Sequence, residues 1–376
     1  MTTSLSVLDL VHVSSGQTAA EAIRNAVDLA QRVEAAGYQR YWLAEHHLNP
    51  GVAGISPALL SLHILSNTER LRVGSAASLM GHRTALQVVE EFGLLDALHP
   101  GRVDLGLGRS GGRPPASGPG TGGPLRSQVV DGKFPNGLVI PKGPDLSALL
   151  KSPRFLLQKH LLLQAGSTPQ PYGELVDDVL SLIAGTYKSP EGEPVHIVPG
   201  EGADLQLWIL GSSGGESAEV AGARGIRFGT NYHVNPAGVL DAVDSYREHF
   251  VPSDELDRPY VVVSADVVVA PTEAEARELA TGYGLWVKGI RNAEGAIPFP
   301  TPEDARRYEW SEQDRALVKD RVDTQFVGSP SQVADQLEVL RDAIGADEIV
   351  LTTITHDHAD RVRSFELIAE EWARRS

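Results

Sequence analysis

Tyr41-Trp42-Leu43-Ala44-Glu45-His46-His47 runs a short apolar strand straight into three residues capable of acid–base chemistry. Upstream, Thr18–Gly37 repeats apolar residues at helical spacing. Ala22, Ile23, Ala26, Leu29, Ala30 and Val33 fall on one face, and Ala36-Gly37 is a good helix stop. Leu5–Leu10, before that helix, reads as a strand. Strand, helix, strand and then polar residues is the order of a parallel α/β protein, where chemistry sits at the carboxyl ends of the strands. Glu45, His46 and His47 are therefore the first candidates for function.

The 376 residues suit one large α/β barrel, and a 41% hydrophobic content is enough for a substantial core. A formal net charge of −16 with no basic run argues against a nucleic-acid partner, since phosphates would be repelled. The absence of cysteine excludes disulfides, thiolate catalysis and cysteine metal sites. The opening MTTSLSVLDLVHVSSG has neither a basic segment nor a long apolar stretch. No membrane association is therefore expected, and a cytoplasmic location is.

Strand-like runs recur at Leu5–Leu10, Tyr41–Leu43, Leu71–Ser75, Val103–Leu107, Gln206–Leu210, Arg227–Thr230, Val261–Val269 and Glu348–Thr352. Helical segments lie between them at Thr18–Ala36, Pro57–Ser66, Ala85–Leu98, Glu216–Ala223, Pro236–Phe250 and Thr272–Lys288, with a last one near Ala359–Arg374. Eight strands separated by helices indicate a (β/α)8 TIM barrel, with residues 1–376 as one domain. Two segments break the rhythm: 109–171 after the fourth strand and 289–327 after the seventh. The first opens with the Gly/Pro-rich stretch Gly108–Pro144, read as a lid or substrate-channel wall because it leaves a strand's carboxyl end. Two helices, Pro153–Gln164 and Tyr172–Gly185, are expected behind it. The second segment, charged and containing Trp310, reads as a solvated helix pair.

Gly106-Leu107-Gly108-Arg109-Ser110-Gly111 fits G-x-G-x-x-G, yet Arg113-Pro114-Pro115 follows where a dinucleotide site needs a helix to open. A better anion site is Leu210-Gly211-Ser212-Ser213-Gly214-Gly215-Glu216-Ser217-Ala218, which joins an apolar strand to an alanine-rich helix. Its glycines permit close approach, while helix-start N–H groups and serine hydroxyls donate. Arg109, from an earlier strand end, is the natural counter-charge. No metal site is expected: adjacent His46 and His47 point to opposite sides of an extended chain, and His356-Asp357-His358 lies in a polar, solvent-like stretch. One histidine of the pair is expected to face the barrel mouth as base or donor, the other to pack structurally.

TAAEAIRNAVDLAQRVEAAGYQRYWLAEHH, NTERLRVGSAASLMGHRTALQVVEEFGLLDALHPGRVDLGLGR and LWILGSSGGESAEVAGARGIRFGTN resemble, in that order, the bacterial luciferase-like superfamily of flavin-dependent monooxygenases. The resemblance implies a barrel that binds reduced FMN at the carboxyl ends of its strands. It gives His46 the role of assisting the flavin–oxygen chemistry and sets Ala76 and Ala77, around a non-proline cis peptide, beside the isoalloxazine. Arg109 is then the arginine near the flavin phosphate, with Ser212, Ser213, Gly214, Gly215 and Ser217 as the phosphate loop. Met80-Gly81-His82-Arg83 departs from the family's usual Pro-Asn-His, as does the Gly/Pro-rich stretch after Arg109.

The leading functional expectation is a two-component monooxygenase. A separate NAD(P)H flavin reductase supplies reduced FMN, and dioxygen is used to oxygenate a small organic substrate. The alternatives are a hydride-transfer enzyme using a deazaflavin coenzyme and a flavin-binding protein without turnover. Strand-end positions put His46, His82, Arg109, Ser213 and Tyr232 around one cavity, with His12, His82, Tyr232 and His233 on the substrate side. A homodimer through Pro57–Ser66 and Ala85–Leu98 is expected, because both helices carry apolar residues on more than one face and luciferase-like relatives associate there.

Overall fold

Eight parallel strands close into a barrel in the computed structural model, which describes residues 3–109, 123–145, 149, 151–164 and 166–375. The strands are β1 (Ser4–Asp9), β2 (Arg40–Leu43), β3 (Arg72–Ser75), β5 (Val103–Gly108), β6 (Gln206–Gly211), β7 (Arg227–Asn231), β8 (Val261–Val269) and β10 (Glu348–Thr352). Closure is by β10 against β8, in the register Glu348 opposite Val262. The two remaining strands are short extensions. β4 (Ser78–Leu79) prolongs the path of β3 and pairs with β5, and β9 (Phe326–Gly328) adds to the end of β8. All eight expected barrel strands are present, within a residue or two of their expected ends.

β8 explains why the sequence folds this way. VVVSADVVV is buried along its whole length. Val263, Ala265 and Val267 pack against the helices outside, while Val262, Ser264 and Asp266 face the barrel interior. A strand covered on both faces must be apolar almost throughout, so its two inward polar residues have a specific task. Gly74 is required where β3 crosses β5: a Cβ there would lie 1.8 Å from the Asp104 carbonyl oxygen. The helices are punctuated by local chemistry, Thr18 and Glu21 forming a capping box at Ala19–Ala35, and Thr272 and Glu275 another at Glu273–Leu279.

The amino end of the barrel is plugged by an ionic network. Arg40 donates to Asp104 at 2.9 Å and to Glu348 at 3.0 Å, Arg72 to Asp104 at 2.8 Å, and Trp42 Nε1 to Asp104 at 2.9 Å. Above it Trp42 and Trp208 meet edge to face, 4.8 Å between centroids. The barrel is therefore filled at its base and open only towards the strands' carboxyl ends.

Three expectations need correction. The expected Thr272–Lys288 helix is broken at 280–282, and its second part, Tyr283–Arg291, turns over the barrel mouth. Helix Pro330–Ile344 was not anticipated, although Pro330 at its first turn and Gly345 with φ +64° at its end are ordinary signals. The second insertion also reads differently from expectation. In the first, 110–122 lies outside the described residues, as do Ser110, Gly111 and the Arg113-Pro114-Pro115 stretch. Its residues 123–145 are pinned along the outer helices by Leu125 N–H to Asp244 and Asn136 to the Val339 carbonyl, and line none of the main cavity. The second insertion is no solvated pair. Arg291 and Asp320 form a buried bidentate ion pair, Val318 is buried, and Arg321 reaches the cavity. Charged residues hid this, because each is buried only by virtue of a partner distant in sequence.

Candidate active site

A cavity of about 290 Å³ occupies the carboxyl end of the barrel. Leu8, Leu10 and Trp42 line its lower wall, Trp286 and Ile290 come from the helix over the mouth, and His46, Ala76, His233, Asp266 and Arg321 contribute from separate elements.

β2 delivers His46. Its ring opens into the cavity, and its backbone N–H is held by the Gly54 carbonyl at 2.8 Å. His46 is exposed on the cavity side, but the crowded strand ends around it, with His47 adjacent, push its pKa down to about 4 against the opposing pull of Glu45, so the imidazole is neutral at pH 7. His47 points the other way, as alternation along an extended chain requires. It donates to Glu45 Oε1 at 2.9 Å, which also accepts from His82 at 3.0 Å and lies 3.4 Å from the Arg83 guanidinium. Glu45, His47 and His82 thus bring three donor atoms within 4.8 Å of one another, a set that could hold a cation. Arg83 already supplies positive charge to the shared oxygen.

The peptide between Ala76 and Ala77 is cis, as the resemblance implied, and Ala76 lines the cavity. β7 sends His233 inward, where its Nδ1 meets Ser264 Oγ at 2.6 Å. Burial, reinforced by Arg321 and His46, depresses its pKa well below the usual value. Three polar atoms at the wall, Thr230 Oγ1, Asn231 Oδ1 and Trp286 Nε1, are buried without a hydrogen-bond partner among the described residues.

The β6 turn lies beside this cavity, Leu210 lining it and the turn following at once. Ser212 and Ser213 are exposed, Ser217 is half-buried, and their hydroxyls make no bond to a described residue. They surround the start of helix Glu216–Ala223, whose N-cap, Gly215, supplies no side-chain cap. A Cβ on Gly214 would lie 2.8 Å from the Asp241 carbonyl oxygen, so glycine lets the turn pack this closely. Arg109 Nε stands 3.7 Å from Glu216 Oε2, which brings the arginine to the same helix end. Serine hydroxyls, helix N–H groups and a guanidinium that pairs with Glu216 thus belong to one helix end, a donor set suited to a phosphate.

Three expected residues are elsewhere. Tyr232 turns outward because its neighbours Asn231 and His233 face in. Its hydroxyl donates to the Val139 carbonyl at 2.6 Å, and its ring packs on Phe326. His12 is buried beyond the end of β1, donating to the Thr355 carbonyl at 2.9 Å, in a small pocket with His356 and Arg361. Burial and Arg361 push its pKa down to about 3. His82 supports Glu45 and does not line the cavity. In His356-Asp357-His358 the two rings diverge, one to the Ser15 carbonyl and the other to Asp28. Asp266, Tyr283 and Arg321 were missed. The alternation of Ser264 and Asp266 in an apolar strand was a usable signal for Asp266; Arg321 has none.

Comparison with known proteins places the chain in a family. The family model for luciferase-like monooxygenases matches residues 3–126 and 175–348. The protein YvbT of Bacillus subtilis (strain 168) is 36% identical over 99% of this chain and 98% of its own length. A luciferase-like monooxygenase of Escherichia coli (strain K12) is 30% identical over 97% and 96%. Among solved structures, apo-MsnO8 superposes with a TM-score of 0.78 at 26% identity, covering 99% of this chain and 98% of that one. Two more distant structures share the fold: the FMN complex of the oxygenating constituent of 3,6-diketocamphane monooxygenase from Pseudomonas putida and an F420-dependent secondary alcohol dehydrogenase. Their TM-scores are 0.62 and 0.61 at 18% and 13% identity, covering 100% and 99% of this chain and 99% of each of theirs. Fold and family match together define a (β/α)8-barrel oxidoreductase. The chain belongs to the luciferase-like monooxygenase family.

Proposed function

We propose that this chain is the oxygenating component of a two-component monooxygenase. It takes reduced FMN from a separate NAD(P)H flavin reductase and uses dioxygen to oxygenate a small organic substrate. The observation that carries this reading is the contiguity of two features at one barrel end, a phosphate-suited turn with Arg109 and a largely apolar cavity containing neutral His46. Arg109, Ser212, Ser213, Gly214, Gly215 and Ser217 would hold the phosphate, and Ala76 and Ala77 would flank the ring. Bound reduced FMN supplies the electrons with which one oxygen atom of dioxygen goes to substrate and the other to water. His46, uncharged, can take up a proton at its unprotonated ring nitrogen. The helix over the mouth would place Trp286 and Ile290 as apolar cover beside the reacting face.

The rival is hydride transfer with a deazaflavin coenzyme, which the same fold supports in the F420-dependent dehydrogenase. A third is binding without turnover. Anaerobic titration with reduced FMN and with reduced deazaflavin, followed by admission of isotopically labelled dioxygen, separates them. The expected result is tighter binding of reduced FMN and label in an organic product. Tighter deazaflavin binding, or flavin reoxidation that never labels any organic substrate offered, would overturn the proposal.

A further inference from the structure

The charged groups on the cavity wall answer one another, Arg321 donating to Asp266 at 3.2 Å. His46 and His233 are uncharged at neutral pH for the reasons given above. Recognition of a ligand therefore falls to neutral polar atoms. Thr230 Oγ1, Asn231 Oδ1 and Trp286 Nε1 are buried without a partner among the described residues. A buried polar atom left unpaired is costly, so each marks a place where a bond from a ligand counts most. Their roles differ. A threonine hydroxyl donates or accepts, and a neutral imidazole carries one nitrogen of each kind, so Thr230, His46 and His233 discriminate little. The Asn231 oxygen can only accept, and the Trp286 indole can only donate. Gly229, Asn231 and His233 line the cavity while the intervening Tyr232 faces out, so the Asn231 side chain shares the inward face at the end of β7. Trp286, 2% exposed, reaches the same cavity from helix Tyr283–Arg291. β7 stands three strands round the barrel from β3, whose end carries Ala76. The two atoms thus lie across the barrel from the cis peptide.

We propose that Asn231 and Trp286 together select an uncharged organic substrate bearing a secondary amide, Asn231 Oδ1 accepting its N–H and Trp286 Nε1 donating to its carbonyl oxygen. This rests on the cavity being the substrate site of the reaction proposed above. The N–H and C=O of a planar trans amide point in opposite directions, so one such group bridges β7 and the helix over the mouth. A ketone, aldehyde or ester pairs with the indole alone and leaves the Asn231 oxygen buried and unsatisfied. A charged group must in addition be desolvated with no free counter-charge to receive it.

The test is calorimetric titration of the full chain with N-propylhexanamide and propyl hexanoate, an amide and the ester of the same shape. It is run without flavin and again with saturating reduced FMN under nitrogen. In the parent the amide should bind roughly tenfold tighter than the ester in both conditions, the scale of one buried polar group left unpaired. Asn231→Leu should shrink that preference to within about threefold by weakening the amide. Should that variant not fold, Asn231→Ala gives the same reading. Trp286→Phe, which keeps an aromatic ring and removes the N–H, should weaken both probes by a similar factor. An ester that binds the parent as tightly as the amide, or a preference that survives the loss of Asn231, overturns the proposal. Amide binding abolished by reduced FMN also overturns it, because the two atoms then serve the flavin's own N–H and carbonyl edge. Reduced FMN binding with neither probe bound overturns it while leaving the flavin reading intact. Amide preference without FMN binding does the reverse.

Discussion

Glu45 Oε1 accepts a hydrogen bond from His82 Nε2 at 3.0 Å, tying the end of β2 to the turn after β4. The same carboxylate takes His47, the Leu79 N–H at 3.0 Å and Arg83, so one buried group gathers four donors from two strand ends. The arrangement fixes the backbone on either side of His46 and leaves that ring alone to face the cavity. It also accounts for Met80-Gly81-His82-Arg83, since both His82 and Arg83 are used as props for Glu45.

Glu45→Gln should therefore destabilise the protein in a pH-dependent way. Burial alone would raise the Glu45 pKa, but the bonds from His47, His82 and Leu79 N–H and the charge of Arg83 hold the carboxyl well below its usual 4.5. A depressed carboxyl pKa gives stability that is fully present above the unfolded value and is lost as pH falls towards the folded one. Losing the charge-assisted bonds should cost about 1.5–3 kcal/mol at pH 7, and the difference should shrink below about pH 4.5. Urea midpoints of parent and variant at pH 7 and pH 3.5 check this; a gap of equal size at both would contradict it.

His46→Ala should lower turnover ~10²–10⁴-fold, the usual range for general acid–base help, with reduced-FMN affinity nearly unchanged. The depressed pKa adds a second signature. The ring should stay neutral down to about pH 4, so the acid limb of its titration, followed by nitrogen-15 NMR, should fall near 4 and not near 6.5. Between those values the unfolded chain takes up a proton that the folded one refuses, so this histidine makes stability decline as pH drops through the window. Full turnover in the variant would give the ring a packing role only.

Arg109→Ala should weaken reduced-FMN binding by roughly tenfold to over a hundredfold, the loss of one charge-assisted contact. Stability should scarcely change, because Arg109 and Glu216 are both partly exposed and 3.7 Å apart. Anaerobic fluorescence titration is the measurement. Affinity within twofold of the parent would remove Arg109 from the phosphate site.

The barrel was legible because its signals are local and periodic: β8 reads as a buried strand from VVVSADVVV alone. The phosphate-suited turn was legible for the same reason, as strand, glycines and helix are contiguous from Leu210 to Ala218. What stayed hidden depends on pairing across the chain. Arg321 is on a charged helix that reads as solvated until Asp266, 55 positions earlier, is known to receive it. Tyr232 and His233 are equally plausible in sequence, and only the strand's register decides that the histidine faces in. His12 was misread because a strand end is no guide once the chain has turned beyond it.

The chain should be a homodimer joined through helices Pro57–Leu65 and Ala85–Leu98. Leu59 is 71% exposed and Leu98 56%, and Leu86 and Leu94 are also exposed. Each helix already buries another face, Ile64 and Leu65 in one and Val88, Phe92 and Leu95 in the other, so these leucines are surplus to barrel packing. The described residues 123–144 of the Gly108–Pro144 segment bond to the helices Val239–His249 and Pro330–Ile344 instead. Covering the leucines returns about 25 cal/mol for each Å² of apolar surface removed from water. Light scattering at micromolar concentration should give twice the 40.3 kDa of one chain. The double variant Leu59→Glu with Leu94→Glu should halve that mass with the barrel still folded, since both side chains already face solvent in the single chain. A parent that scatters as one chain would refute the dimer.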